Sequence, residues 1–392
     1  MIVKNEEAAL PKCLGSVKNV VDEIVVLDTG STDNTVQIAQ EYGAKVHYFE
    51  WCNNFSVARN EALKYVTADW VLVLDADETL APEIAPQMKA AIQNEEYLLI
   101  NLVRQEVGAA QSPYSMVSRL FRRHPQIYFN RPYHAIIDDS VTEILAQESQ
   151  WQIAFLPDVA ILHYGYQKTV INQQNKYAKA AAAMEVFFVA NPQDPYVCSK
   201  LGALYVEMGK VNQGMDLLKR GIKNVEDNYE ILYELYYHLG IAHSHLKDYN
   251  QAISHYQSAV KLPIFPILKL GAYNNLGSLL KAAGDLEGAK TAYETTLKID
   301  PSFVTGYYNL GMTFKAMGLY LEAIAAYDQA IQLNPDYAEA YQNLGVVLLK
   351  VGEVQASLAA FENAIALHEP HNPPEAQRLR QGLQEMGLLQ KN

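Results

Sequence analysis

A Leu-Gly pair that recurs through the second half of the chain constrains the fold more than any other feature. It stands at Leu201-Gly202, Leu239-Gly240, Leu276-Gly277, Leu310-Gly311 and Leu344-Gly345, so that successive glycines are 38, 37, 34 and 34 residues apart. Two further positions, seven and sixteen residues after each glycine, repeat with it. The first is held by Gly209, Lys247, Gly284, Gly318 and Gly352, and the second by Leu218, Tyr256, Tyr293, Tyr327 and Phe361. Repeats of this length predict two-helix units that stack and share a continuous core.

This repeat resembles the tetratricopeptide (TPR) pattern, in which small residues allow two antiparallel helices to cross closely beside an aromatic side chain. The resemblance implies an all-α solenoid of five units. We expect the units at residues 195–228, 233–266, 270–303, 304–337 and 338–371, after a helical linker over 167–194 and before a capping helix over 372–392.

The groove of such a solenoid usually binds a peptide or a protein segment. Asn275, Asn309 and Asn343 stand two residues before successive unit glycines. They resemble the asparagine ladder with which some TPR proteins hold a peptide backbone. The alternative is that asparagine is simply common at this place in TPR sequences.

The first half of the chain alternates short apolar runs with helical patterns. Strands are expected near residues 1–3, 23–28, 44–49 and 70–74, with helices between them. This order predicts an α/β domain with a Rossmann-like, mostly parallel sheet over residues 1–166. Only three apolar residues precede the first polar turn, so either the first strand is short or the true start lies upstream, and we favour the second.

Polar clusters follow three of these predicted strands. They are Lys4-Asn5-Glu6, Asp28 with its Gly-Ser-Thr turn, and Asp75-Ala76-Asp77. In a parallel sheet the carboxyl ends of strands meet at one edge, where ligands bind. Paired carboxylates there suit Mg²⁺ or Mn²⁺ and the phosphates that such a cation bridges. The alternative for each cluster, taken singly, is a helix cap or a solvated loop.

Two enzyme classes use an Asp-x-Asp pattern of this kind: nucleotide-sugar glycosyltransferases and haloacid dehalogenase-type phosphatases. The phosphatases carry the motif on their first strand, whereas Asp75 follows the fourth. A phosphatase could use Lys89 and the pair Asp138-Asp139, but Asp28 and Arg59 would then have no role.

Four motifs within residues 1–80 resemble the nucleotide-binding half of family 2 glycosyltransferases, which have the GT-A fold. They are IVKNEE, VVLDTGSTDNT, FSVARNEAL and ADWVLVLDADE. The resemblance implies a nucleotide-sugar donor, with a UDP-sugar favoured. The residues that it implicates in the nucleotide pocket are Val3, Lys4, Asn5, Glu6, Asp28 and Arg59. Among them, Asp28 would read the base. It also implies that Asp75 reaches the ribose or the metal and that Asp77 binds the metal on the diphosphate.

An inverting transfer needs a carboxylate to remove the acceptor proton. Related enzymes often show a His-Glu pair where this chain has His134-Ala135, so the base stays open among Asp138, Asp139 and Glu143, with the first two preferred. Similar enzymes carry a late histidine that completes the metal shell. His163 is the candidate here, and a structural histidine is the alternative.

Three arginines in the second part of this domain are candidates for contacts with the diphosphate or an anionic acceptor. They are Arg119, Arg122 and Arg131. A solvated strand face is the alternative for each.

Composition narrows the class of partner. The chain of 392 residues carries a formal net charge of −13, which argues against nucleic-acid binding. Three widely separated cysteines and the lack of a long apolar stretch predict a cytoplasmic protein, with the inner face of the membrane as a further option.

We therefore expect a metal-dependent, inverting glycosyltransferase whose acceptor, a protein, a peptide or a glycan, is recruited by the TPR groove. The alternative is a TPR scaffold whose transferase domain is inactive.

Overall fold

The computed structural model describes residues 1–109, 112–131, 135–165 and 170–389, with the side chains of 170–176 excepted. The chain divides into two compact units. The first comprises Met1–His245 and Pro263–Leu268, and the second comprises Leu246–Leu262 and Lys269–Asn392.

The first unit begins with a small parallel sheet. It has the order β1-β2-β3, formed by β1 (Ile2–Val3), β2 (Val25–Asp28) and β3 (Lys45–Tyr48). The helices that alternate with these strands are α1 (Leu10–Val17), α2 (Thr35–Glu41) and α3 (Phe55–Leu63). Leu10 and Leu14 of α1 pack with Val26 of β2, because apolar residues spaced four apart lie on one face of a helix. The α/β class is thus confirmed for this part of the chain.

A second, mixed sheet follows, with the order β4-β7-β6-β8-β5. Its strands are β4 (Trp70–Leu72), β5 (Glu78–Leu80), β6 (Tyr97–Glu106), β7 (Tyr114–Arg122) and β8 (Gln152–His163), and its helices are α4 (Ala85–Ala91) and α5 (Asp138–Gln147). Only β6 and β8 are parallel neighbours; the other pairs are antiparallel.

The prediction that the strand before Asp75 extends a parallel sheet is wrong. That strand, β4, pairs antiparallel with β7, with Val71 opposite Phe121. Its apolar run is as compatible with this antiparallel pairing as with a parallel one, because both faces are covered: Val71 packs in one core cluster and Leu74 in another.

A cavity of about 510 Å³ is lined by residues of β1 and β4, each of which is the edge strand of its sheet. Most of the side chains around it are apolar, and Arg59 and Arg122 are among the exceptions. Neither Asp75 nor Asp77 lines it, so this cavity is separate from those two carboxylates.

Helices make up the rest of the described chain. The first unit contains α6 (Val170–Ala190), α7 (Pro195–Glu207), α8 (Val211–Asn224) and α9 (Tyr229–His245). The second contains α10 (Tyr249–Lys261), α11 (Leu270–Ala282), α12 (Leu286–Ile299), α13 (Val304–Met317), α14 (Tyr320–Leu333), α15 (Ala338–Lys350), α16 (Val354–His368) and α17 (Pro373–Glu385). None of the helices in the described ranges is both long enough and apolar enough to cross a bilayer.

The packing explains the Leu-Gly repeat. A Cβ atom placed on Gly277 would lie 2.8 Å from the ring of Tyr293, and one on Gly311 would lie 2.7 Å from the ring of Tyr327. Both rings are fully buried. The glycine therefore lets the two helices of a unit approach closely enough to enclose the aromatic side chain sixteen residues later, as the TPR pattern predicts.

The turn position seven residues after the unit glycine has a left-handed backbone. Its φ is +78° at Gly318, +87° at Gly284 and +59° at Lys247. Glycine adopts this conformation freely, whereas a side chain at Cβ makes it unfavourable.

We therefore expect Lys247→Gly to raise the free energy of unfolding by about 0.5–1 kcal/mol, because it removes this backbone strain. Urea denaturation of the full chain measures the change. Gly284→Lys is the matched control, since a Cβ there meets no atom within 4 Å and adds strain alone. It should lower stability by a similar amount. An unchanged midpoint in both variants would contradict the assignment.

Candidate active site

The segments after β1 and β2 are joined side by side, as the resemblance implies. The Asn5 amide donates to Ser31 Oγ (2.9 Å), and Asn5 Oδ1 accepts from the Thr32 amide (2.7 Å). The Glu6 amide donates to Thr35 Oγ1 at 2.7 Å. Val3 is buried in β1, whereas Lys4 and Asn5 are exposed, so the polar residues face outward from this edge of the sheet.

Asp28 ends β2 and shapes the turn that follows. Its side chain is 3% exposed, and Oδ2 accepts hydrogen bonds from the amides of Gly30 (3.0 Å) and Ser31 (3.1 Å). Gly30 has a φ of +100°, which favours glycine. The Asp28 carboxylate thus holds the loop after β2 in place. Its role in recognition of the base stays a prediction.

Asp75 is clamped between two buried arginines. Arg59 Nη2 donates to its Oδ1 at 2.8 Å and Arg119 Nη2 donates to its Oδ2 at 2.9 Å. Burial alone would raise the pKa of Asp75, but the guanidinium groups of Arg119 and Arg59 hold it well below its usual range. The carboxylate is therefore ionised and rigid, with about a third of its surface exposed.

A fully buried residue that the sequence reasoning missed supports this clamp. Glu78 accepts the Asp75 amide at 2.9 Å and pairs with Arg104 at 3.2 Å. Glu78 directly follows Asp77 in the sequence. Its place beside the Asp75-Ala76-Asp77 motif was the only signal that could have indicated it as a site residue.

Asp77 and His163 meet at the end of β8. His163 Nε2 lies 3.3 Å from Asp77 Oδ2, and its Nδ1 lies 2.5 Å from Glu106 Oε2. Burial lowers the pKa of His163, but the hydrogen bonds that its ring donates to the carboxylates of Asp77 and Glu106 outweigh burial and raise the pKa to about 9. The pairing with His163 in turn lowers the pKa of Asp77. The predicted partners are thus brought together, and Glu106 is a third member that the sequence did not indicate.

Gly165 leaves room for this pair. A Cβ atom there would lie 2.6 Å from His163 Nε2 and 3.0 Å from Asp77 Oδ2. Any side chain at this position would therefore displace one of the two.

The three candidate bases differ in their surroundings. Asp138 and Asp139 open α5, and Ser118 Oγ donates to Asp138 Oδ1 at 2.8 Å. Burial raises the pKa of Asp138. Asp139 instead accepts from Asn130 and, at 3.1 Å, from Arg131. Glu143 is exposed, one turn further along the helix.

A main-chain contact ties this acceptor side to the Asp75 clamp. Arg59 Nη1 donates to the carbonyl of Ala135 at 3.0 Å, three residues before Asp138. His134, in the departure from the family pattern, lies outside the described residues.

The three arginines that the sequence offered as phosphate or acceptor contacts have different surroundings. Arg119 joins the Asp75 clamp, whereas Arg122 is held by the carbonyls of Tyr97 and Asn94 and packs over Trp70. The prediction that Arg122 contacts the diphosphate therefore finds no support in the geometry. Arg131 lies at the acceptor side.

The three asparagines of the proposed ladder use their side-chain amides inside the protein. Asn275 donates to Tyr256 Oη (3.2 Å), Asn309 to Asn274 Oδ1 (2.9 Å) and Asn343 to Tyr308 Oη (3.2 Å). Their binding to a peptide stays a prediction.

Replacing Asp75, the centre of the clamp, should destabilise the folded protein. We expect Asp75→Asn to lower the free energy of unfolding by about 2–3 kcal/mol at pH 7, because it removes the carboxylate that pairs with both buried guanidinium groups and leaves Arg119 only the more distant Glu78. Since the folded-state pKa of Asp75 lies below its ordinary value, this stability is present above about pH 4 and is lost as the pH falls through the lowered pKa. Urea denaturation at several pH values measures it.

Asp139→Asn is the control for that experiment, because the Asp139 side chain is 43% exposed. It should change stability by less than about 1 kcal/mol. Equal losses in the two variants would contradict the special role of the clamp.

Comparison with known proteins agrees with the two-part architecture. The family described as Glycosyl transferase family 2 matches residues 1–153. Families described as TPR repeat match residues 277–318 and 313–352, and families described as Tetratricopeptide repeat match residues 233–263 and 338–369.

Three relatives illustrate the similarity. A TPR repeat-containing protein of Synechococcus elongatus is 43% identical over 286 residues, which are 73% of this chain and 71% of that protein. The prophage-derived glycosyltransferase SunS of Bacillus subtilis is 28% identical over 57% of this chain and 52% of its own length. An uncharacterized glycosyltransferase of Rickettsia felis is 31% identical over 44% of this chain and 62% of its own length.

The chain thus spans about half of SunS but more than two thirds of the cyanobacterial relative. It belongs to the family of TPR repeat-containing proteins represented by that relative, and it joins a family 2 glycosyltransferase domain to tetratricopeptide repeats.

Proposed function

We propose that this protein transfers a sugar, with inversion, from a nucleoside diphosphate donor to an acceptor, and that it needs Mg²⁺ or Mn²⁺ to do so. The observation that carries the proposal is the Asp77–His163 pair beside the clamped Asp75. The family 2 match and the relatives named glycosyltransferases support it, and they favour a transferase over a phosphatase.

The residues at this position suit such a cation. Asp77 offers a carboxylate, and His163 would offer its Nε2 once a bound cation displaces the proton from that nitrogen. Glu106 on the far nitrogen orients the ring toward Asp77. Nowhere in the described ranges do three or more His, Cys, Asp or Glu side chains group as a complete metal site. Mg²⁺ and Mn²⁺ need few protein ligands when phosphates and water supply the rest. When bound, the cation would neutralise the charge that develops on the departing diphosphate.

The chain's own residues then have separate tasks. Asp75, ionised and fixed by Arg59 and Arg119, would accept hydrogen bonds from ribose hydroxyl groups. The joined loops after β1 and β2, with Asp28 at their base, would enclose the nucleobase.

We assign proton removal from the acceptor to Asp138. Burial raises its pKa, which makes its carboxylate a stronger base than that of an exposed aspartate. Asp139 is weaker in this role because Arg131 and Asn130 already occupy its oxygens. The acceptor class, which we take to be a peptide or protein, rests on the tetratricopeptide repeats.

The metal assignment predicts that Asp77→Ala loses metal-dependent binding of UDP by at least about tenfold, because the diphosphate loses the cation that links it to the protein. Gly165→Ala should do the same without removing a ligand, since its methyl group displaces the His163–Asp77 pair. Isothermal titration of UDP with Mn²⁺, and again with EDTA, measures both.

Glu143→Gln is the matched control, because Glu143 is exposed and is not proposed to touch the donor. It should bind UDP as the parent chain does. Metal-dependent binding that survives in Asp77→Ala would refute the metal assignment. If the parent chain binds no nucleoside diphosphate and hydrolyses no nucleotide sugar, the scaffold alternative holds instead.

A further inference from the structure

A second cavity, of about 340 Å³, lies within the first unit where the transferase domain meets the first helices of the repeat region. Arg131 and Asp139 line it from the transferase side, and Asp194, Tyr196, Glu226 and Asp227 line it from the helical side. We call it the Arg131 cleft. Since Asp139 directly follows the proposed base Asp138, the cleft lies on the acceptor side of the candidate site.

Arg131 connects the two sides of this cleft through its side-chain contacts. It is 7% exposed, and its Nη2 donates to Asp194 Oδ2 at 2.9 Å and to Asp139 Oδ2 at 3.1 Å. Its guanidinium group also lies over the ring of Tyr196, 4.4 Å from the centroid. Asp194 caps α7 through the Val197 amide (3.0 Å), so the transferase side and the first repeat helix are held by one arginine.

Among the described residues, the buried Nε of Arg131 has no hydrogen-bond partner. An unsatisfied buried donor is unfavourable, and a ligand oxygen that accepts from it would be favoured. A peptide carbonyl or a hydroxyl group is such an oxygen. This group therefore points to a ligand independently of the carboxylates around it.

The charge of the lining indicates what else the ligand carries. Among the described lining residues, four are carboxylates and one is an arginine, so the cleft is strongly negative. Asp139 and Asp194 share Arg131, whereas Glu226 and Asp227 are exposed on the turn between α8 and α9. Ile231 and the ring of Tyr196 add an apolar wall. A long side chain with a cationic end, such as lysine or arginine, complements both features.

We propose that the Arg131 cleft binds the part of an acceptor peptide that flanks the modified residue, and that it prefers a lysine or arginine there. The first repeat helices are then one wall of the acceptor site as well as a recruiting surface. The description of the ligand as an acceptor rests on the proposed function; the binding preference does not.

The test is fluorescence anisotropy with the full chain and three labelled, unstructured peptides. One contains glycine, serine and lysine; glutamate replaces lysine in the second, and norleucine replaces it in the third. The lysine peptide should bind most tightly, and its affinity should fall with added salt. Glu226→Gln combined with Asp227→Asn should weaken it by about fivefold or more, since two exposed charges are lost.

Glu322→Gln combined with Glu362→Gln is the matched control, because it removes two exposed carboxylates elsewhere and changes the net charge equally. This control should keep the parent affinity within about twofold. Equal binding of the three peptides, equal weakening in both double variants, or no binding at all would overturn the proposal.

Parallel titration with UDP and Mn²⁺ separates this proposal from the proposed function. If the peptide preference is absent while UDP binding is intact, the proposed role of the Arg131 cleft is refuted and the proposed transferase function stands. Absence of UDP binding refutes the transferase even if the lysine peptide binds.

Discussion

The described part of the catalytic domain depends on one electrostatic arrangement, the Asp75 carboxylate between the guanidinium groups of Arg59 and Arg119. The three residues come from different elements: Arg59 from α3, Arg119 from β7, and Asp75 from the segment after β4. Arg59 also contacts the main chain at Ala135, so this arginine links Asp75 to the segment before the candidate bases. Buried arginines need a counter-charge, and for that reason the site and the fold around it are interdependent.

A second polar group extends from this centre. Arg119 lies 3.9 Å from Glu78, which pairs with Arg104, which in turn pairs with Glu106 at 2.9 Å. Glu106 contacts His163, and His163 contacts Asp77. A continuous series of alternating charges thus connects the Asp75 clamp to the proposed metal ligands. Each member fixes its neighbour, which is how a site keeps its geometry before the donor binds.

Local sequence patterns were sufficient where the interaction is local. The glycine-to-aromatic spacing predicted the contact between Gly277 and Tyr293, because both belong to one helix pair. The pairing of β4 with β7 could not be predicted from the sequence, because an apolar run such as Val71–Leu74 fits a parallel or an antiparallel strand equally well. Glu106 was hidden as a site residue, because its partner His163 is distant in sequence and only the folded chain brings the two together.

The central claim is that Asp77 and His163 hold the cation that binds the donor diphosphate. Anomalous X-ray diffraction from crystals grown with Mn²⁺ and UDP tests it most directly, because the manganese signal identifies the ion and its ligands without an activity assay. We expect one strong manganese peak bonded to Asp77 and His163 and to diphosphate oxygens, with Asp75 still between Arg59 and Arg119. Manganese held by other residues, or a bound UDP with no manganese peak beside Asp77, would contradict it.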